Sequence, residues 1–136
     1  MLNRFYFCIL IFSIIFLSGC SSNTQEETVV KPILNEFEEE GFTLKEREIY
    51  SDLFTLSGSY EKQYEVEGGS IYIIYGYSDK EKIMEELRKV FAETEFQYPP
   101  KSLYTDKFCI IYIKKSENEM FDQKIDTLFE HNLKGI

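Results

Sequence analysis

The sequence lacks a hydrophobic run of the length that crosses a membrane as a helix. Its longest predominantly apolar stretch, Phe5 to Leu17, has 13 residues. As a helix it would span roughly 20 Å, against a hydrocarbon core of ~30 Å. Only an extension from Leu2 to Gly19 would nearly reach the required length. An uncleaved anchor helix is therefore the second interpretation of this stretch.

The residues that flank the stretch favour a leader that is cleaved. The Met1 amine and Arg4 give a positive start, and small residues followed by polar ones end the stretch. The sequence Leu17-Ser18-Gly19-Cys20 resembles the lipobox of bacterial lipoprotein signal peptides. This resemblance covers residues 1–20. It implies that residues 1–19 are a signal peptide and that Cys20, carrying a diacylglyceryl group on its sulfur, becomes the N-terminus. Two acyl chains would hold the protein stably on the extracytoplasmic face of the cell membrane.

Histidine and cysteine are scarce in the remaining chain. His131 is the only histidine, and Cys109 is the only cysteine after Cys20. These two side chains cannot fill a tetrahedral zinc site, and Cys109 has no partner for an intramolecular disulfide once Cys20 is acylated. We expect Cys109 to be a buried, inert thiol, because it lies within an apolar segment. We expect neither metal nor cofactor.

Basic residues are outnumbered after the leader. Residues 20–136 carry 24 acidic residues against 14 basic ones, a net charge of −10. This balance argues against a nucleic-acid partner, because neutralising phosphates requires clustered Lys and Arg. It also argues against a domain that lies flat on an anionic membrane. The length is that of one domain, and we assign residues 20–28 to the lipidated cysteine and a flexible tether, and residues 29–136 to the domain.

Hydrophobic periodicity predicts three helices. Residues 29–40 have a helical apolar period and end at Gly41. A second helix should run to about Glu93, with Ser78 as N-cap and Glu81 closing a capping box, and Ser116 should begin a third helix in the same way.

The strands are indicated by β-branched and aromatic residues. We expect a strand near 43–49, a hairpin over Tyr60 to Tyr77 that turns at Gly68-Gly69, and a strand over 107–114 buried on both faces. The unit 70–77, 79–93 and 107–114 is long enough for a parallel crossover. The predicted fold class is therefore α+β, a two-layer arrangement of three helices on a small mixed sheet of about four strands. This layout, over residues 60–133, is similar to that of small uncharacterised lipoproteins of Gram-positive bacteria, which brings no known activity.

Several tyrosines cluster around the hairpin and the Pro99-Pro100 loop. Core packing with the hydroxyl at the edge is the favoured interpretation. A candidate contact surface for a peptide or protein is the alternative, because tyrosine is enriched at interfaces. Its residues would be Tyr60, Tyr64, Tyr77, Tyr98 and Tyr104.

Three function classes follow. The first is a non-enzymatic binding or accessory module of the cell envelope, with an envelope protein or peptide as partner. The second is a small envelope hydrolase that uses carboxylates, which requires a cleft with at least two converging acids of perturbed pKa. The third, a solute-binding component of a transporter, ranks last because the chain is too short for two lobes.

Overall fold

The computed structural model describes residues 24–48 and 50–136, and these form an α+β fold as predicted. The sheet has five strands where about four were expected. The helices are α1 (Lys31–Glu39), α2 (Lys80–Glu93) and α3 (Glu119–Thr127). The strands are β1 (Lys45–Glu46), β2 (Tyr60–Val66), β3 (Gly69–Tyr75), β4 (Lys101–Tyr104) and β5 (Phe108–Lys114). A π-helical turn, Glu26–Val30, precedes α1, and a second, Leu128–Asn132, follows α3.

The sheet is antiparallel throughout, with the strand order β1-β2-β3-β5-β4. The predicted parallel crossover between residues 70–77 and 107–114 is wrong, and so is the mixed sheet. Helix α2 leads instead to β4, which runs in the same direction as β3 but lies at the edge. Strand β5 then returns between them. This order gives the apolar β5 the interior position, while the short β4, which begins at Lys101, takes the exposed edge.

Helices cover both faces of the sheet, so the two-layer arrangement is also wrong. Along β3, Ile71 and Ile73 point to a face packed against α1 and α3. Tyr72 and Ile74 point to the other face, packed against α2 and the segment that contains Phe54. Alternate residues of a strand face opposite ways, and here both sets are buried. Three layers result because β3 and β5 have no polar face to leave in water.

Helix α1 ends at Gly41 as predicted. Gly41 has φ +85°, and its N–H donates to Glu38 O (2.9 Å), while the Phe42 N–H donates to Phe37 O (2.9 Å). These two bonds form a Schellman motif, which satisfies carbonyls at the helix end. The rings of Phe37 and Phe42 meet with centroids 5.7 Å apart and complete the motif.

The predicted N-caps are wrong by one and two residues. The Asp79 carboxylate, not Ser78, accepts the Lys82 N–H (3.1 Å) at the start of α2. Asn118, not Ser116, accepts the Phe121 N–H (3.3 Å) at the start of α3. All four are good N-cap residues, and at α2 a carboxylate also interacts favourably with the positive end of the helix dipole.

The sheet has two ends, which differ in chemistry. We call the loop end the one formed by residues 57–60, 76–80 and 105–107, because Tyr60 pairs with Tyr75 and Tyr75 with Phe108. We call the turn end the one formed by residues 67–68 and 115–118, because Gly69 pairs with both Val66 and Lys114. The strands separate the two ends by roughly 20 Å.

Candidate functional site

A half-buried lysine on β2 joins three segments of the chain. Lys62 Nζ lies 2.9 Å from Glu46 Oε1 on β1 and 3.1 Å from Glu26 Oε1 on the first π-helical turn. The Tyr50 hydroxyl donates to the same Glu46 oxygen (2.5 Å). We call these four residues the Lys62 cluster. It ties the N-terminal turn and the edge strand β1 to the interior of the sheet.

The contacts within the Lys62 cluster favour the charged forms of Glu46 and Lys62. The hydrogen bonds from Tyr50 and Lys62 lower the pKa of the Glu46 carboxyl. Burial lowers the pKa of Lys62, but its hydrogen bonds to Glu46 and Glu26 outweigh burial, so the net shift is upward. Burial, reinforced by the charge of Glu46, raises the pKa of Tyr64 to about 12. A general base needs a pKa near the working pH, and these shifts all lead away from neutrality. The cluster therefore fits a structural tie better than catalysis.

The first π-helical turn lies where the flexible tether was expected. Residues 24–28 are helical, and Glu26 is paired with Lys62, so the domain begins about five residues earlier than predicted. The apolar period that marks α1 does not extend to these residues, because their anchor is an ion pair. No signal in the local sequence identifies Lys62 as the partner of a residue 36 positions away.

On the opposite face of the sheet, Gln63 holds the segment that follows β1. Its amide is fully buried, accepts the Ser51 N–H (2.9 Å) and donates to Ser51 O (2.7 Å) and Glu61 Oε1 (2.7 Å). Burial raises the pKa of Glu61, the Gln63 bond lowers it, and the charge of Asp52 adds a further upward shift. Alternation along β2 places Glu61 and Gln63 on the face opposite to Lys62 and Tyr64. The segment with Phe54 covers that face.

The five tyrosines of the candidate contact surface are spread over the molecule. Tyr64 and Tyr77 are buried, in the cores on opposite faces of the sheet, and the Tyr77 hydroxyl donates to Thr105 O (2.8 Å). Tyr60 is 44% exposed, and its ring lies against that of Tyr75 with centroids 5.7 Å apart. Tyr98 and Tyr104 are half-buried, and Tyr98 precedes β4 while Tyr104 is its last residue. Lys114 Nζ lies 5.0 Å from the Tyr98 ring centroid. Only Tyr60, Tyr98 and Tyr104 are accessible to a partner.

Cys109 and His131 are the side chains that could act as a nucleophile or a general base. Cys109 is buried as predicted, and burial raises the pKa of its thiol. His131 is exposed on the turn that follows α3, with Glu130 as its nearest charged group (3.8 Å). Within residues 24–48 and 50–136, no group of three His, Cys, Asp or Glu side chains could hold a metal ion. Cys20 lies outside the described residues, so its acylation stays a prediction.

Two concavities of the surface are open grooves. One, of about 390 Å³, lies between β4 and the segment after α3, and its lining includes Lys101, Leu103, Asp126 and Phe129. A second, of about 270 Å³, lies along β1 next to Glu46 and is lined mostly by charged side chains. Neither includes Glu61, the one carboxyl whose pKa is raised.

The chain was compared with protein families, curated proteins and solved structures. No protein-family model, no curated protein and no solved structure matches the chain. Among the described helices, none is both long and apolar enough to cross a bilayer.

Proposed function

We propose that the chain is a lipid-anchored protein of the extracytoplasmic membrane face, and that its domain is a non-enzymatic binding or accessory module. The observation that carries the proposal is the sequence Leu17-Ser18-Gly19-Cys20, which ends four residues before the first described helical residue, Thr24. A leader removed before Cys20 would leave a compact domain directly behind the acylated residue. A fold without disulfides and with a −10 charge suits a soluble body at a membrane surface.

The anchor is tested by replacing the cysteine that would carry it. We expect Cys20→Ala to move the protein out of the membrane fraction or to leave the precursor uncleaved, because the thioether can no longer form. Cys8→Ala is the matched control, since it changes a cysteine within the leader and should leave processing unchanged. A Cys20→Ala protein that stays on membranes with the processed mass of the wild type would overturn the proposal.

The accessible tyrosines beside β4 support a binding role. Tyr98 precedes the edge strand β4, and Tyr104 is its last residue, so an extended peptide that pairs with this edge passes both side chains. Crosslinking on intact membranes, followed by affinity capture, should recover the same partner repeatedly. The Tyr98→Ser, Tyr104→Ser double variant should lose it, while Tyr50→Ser, which changes an exposed tyrosine of the Lys62 cluster, should retain it. Failure to capture any reproducible partner would contradict the binding role.

The alternative function, a small hydrolase that uses carboxylates, has one observation in its favour. Glu61 has a raised pKa and Asp52 as a charged neighbour. Its carboxylate is already engaged by the buried Gln63 amide, which leaves the binding module as the preferred proposal. If the purified protein hydrolyses peptidoglycan fragments and Glu61→Gln abolishes the activity, the alternative replaces the first proposal.

A further inference from the structure

The contacts of the first described residues determine which end of the sheet lies nearest to residue 20. The Gln25 side chain lies against Gly76, where an added Cβ would come within 2.6 Å of Gln25 Oε1. Glu26 is held by Lys62 one residue later (3.1 Å). Gly76 directly follows β3 and belongs to the loop end of the sheet. The N-terminal segment is therefore fixed to the loop end from its second described residue onward.

The chain between residue 20 and this entry point is short. Thr24 follows Cys20 by four residues, and four residues reach at most about 14 Å when fully extended. The body of the domain is much longer than this, since the two ends of the sheet are separated by roughly 20 Å. An acylated Cys20 would therefore hold the loop end next to the bilayer. The turn end could reach the bilayer only if the domain lay flat, which its −10 charge opposes.

We propose that the loop end is a lipid-facing surface, with Tyr60 at the level of the phospholipid headgroups. The proposal rests on the lipid attachment proposed above. Tyr60 is 44% exposed, and its Cδ2 lies 2.6 Å from the position of an added Gly76 Cβ, directly beside the entry point. Tyrosine combines an apolar ring with a polar hydroxyl and is enriched at membrane–water interfaces.

The charges of the loop end fit anionic headgroups better than those of the rest of the domain. Within residues 57–60, 76–80 and 105–107, Lys80 and Lys107 balance Asp79 and Asp106, and Lys134 lies beside them. Lys80 Nζ lies 3.3 Å from Asp106 Oδ1, and Asp106 shares a groove with Lys107 and Lys134. A basic residue near an anionic surface contributes about 1 kcal/mol of attraction. In a domain of −10 charge, an end whose charges balance is a surface that can approach the bilayer.

At the opposite end acidic side chains outnumber basic ones, which include Lys115 and Lys124. Helix α1 runs from the loop end to the turn end, where Phe42 packs on Phe121 (centroids 5.6 Å apart) and Phe121 borders Gly68. The residues Glu38, Glu39 and Glu40 end this helix, and Glu67 and Glu117 lie in the turns nearby. At a distance of roughly 20 Å they lie beyond a Debye length of ~8 Å from the headgroups, so salt screens their repulsion.

The orientation is tested with one fluorophore on each end of the acylated full chain. Ser57→Cys at the loop end and Ser116→Cys at the turn end are matched substitutions at exposed serines, and buried Cys109 stays unlabelled. Each labelled protein is reconstituted in vesicles of phosphatidylcholine and phosphatidylglycerol that contain a headgroup-bound quencher. We expect the label at position 57 to be quenched severalfold more strongly than the label at position 116. Equal quenching, or stronger quenching at 116, would overturn the proposed orientation.

A second variant separates the orientation from the anchor. Inserting about 20 Gly/Ser residues before Thr24 lengthens the chain between anchor and fold, and it should reduce the difference between the two labels while leaving the protein on the vesicles. An unchanged difference would mean that the surface, not the short connection, sets the orientation, which contradicts the reach argument. Acylated, vesicle-bound protein with equal quenching refutes the orientation alone. A chain that is never acylated refutes the anchor as well.

Discussion

At the scale of single residues, the entry of the chain into the fold depends on a glycine. Gly76 has φ +75° and leaves no room for a side chain, because the Tyr60 ring and Gln25 lie over its Cα. Gly58 has a similar φ, +73°, but no atom within 4 Å of an added Cβ. Both glycines are therefore required by their positive φ, but only Gly76 is also required by the close contact of Tyr60 and Gln25.

We expect Gly76→Ala to destabilise the domain more than Gly58→Ala does. Backbone strain at positive φ costs each variant about 1–3 kcal/mol, and Gly76→Ala also displaces Tyr60 or Gln25. The difference in free energy of unfolding is measured by urea denaturation. Gly135→Ala serves as the control, because an added Cβ there meets no atom within 4 Å and φ is not positive, and it should change stability by less than about 0.5 kcal/mol. Equal losses at positions 76 and 58 would contradict the packing of the N-terminal segment on Gly76.

The Lys62 cluster predicts a pH dependence with a definite sign. The pKa of Glu46 is lowered in the fold by the bonds from Tyr50 and Lys62. A carboxyl whose pKa is depressed by folding stabilises the fold above its unfolded pKa, and this contribution is lost as the pH falls through the folded pKa. Because the Glu46 side chain is 48% exposed, the effect should stay below about 1 kcal/mol.

The measurement compares the wild type with Glu46→Gln by urea denaturation between pH 7 and pH 3. The wild type should be the more stable protein at pH 7, and the difference should shrink below the ordinary carboxyl pKa of 4.5. Glu38→Gln, which removes an exposed carboxylate at the end of α1, should show no such convergence. If the stability difference between the wild type and Glu46→Gln grew on acidification, the hydrogen bonds from Tyr50 and Lys62 to Glu46 would be contradicted.

At the scale of secondary-structure elements, the start of α2 distinguishes two neighbouring candidates for the N-cap. Asp79 accepts the Lys82 N–H, whereas Ser78 is exposed and precedes the cap. We expect Asp79→Ala to cost about 1 kcal/mol of stability, while Ser78→Ala stays within about 0.5 kcal/mol of the wild type. Thermal and urea denaturation of both variants decide between them. The reverse order of effects would restore Ser78 as the cap.

Elements whose cause is local could be predicted from the sequence. The apolar period of α1 and the αL glycine at position 41 depend on neighbours within one or two turns, and both predictions are confirmed. The β2–β3 hairpin is confirmed for the same reason, since its turn residues and alternating strands are adjacent in the chain. The third helix is present as well, with Phe121 and Ile125 in the core.

Features that depend on long-range pairing could not be predicted. The apolar sequence of β5 indicates burial on both faces but not which strand lies beside it, so β4 was missed and the crossover was assigned to the wrong partner. The Lys62 cluster joins residues 26, 46, 50 and 62 through side chains, and charged side chains on a strand usually indicate a solvent face. The dispersal of the tyrosines over two cores has the same origin, since their distribution depends on strand register and helix placement.

At the scale of the whole molecule, three features support one arrangement. The described residues are helical from Thr24, four residues after the lipobox-like sequence, and Gln25 and Glu26 fix this segment to the loop end. Charges balance at the loop end, and acidic side chains outnumber basic ones at the turn end. The domain requires no disulfide, because its two cores are formed by apolar and aromatic side chains on both faces of the sheet. We infer a compact acidic body held close to a membrane and presenting its lateral β4 edge to a partner.

Mass spectrometry of the N-terminal peptide from protein purified from membranes tests this account most directly. We expect a peptide that begins at residue 20 and carries a diacylglyceryl group on the Cys20 sulfur. An unmodified cysteine at position 20, or a leader retained in the membrane-bound protein, would contradict both the anchor and the orientation derived from it.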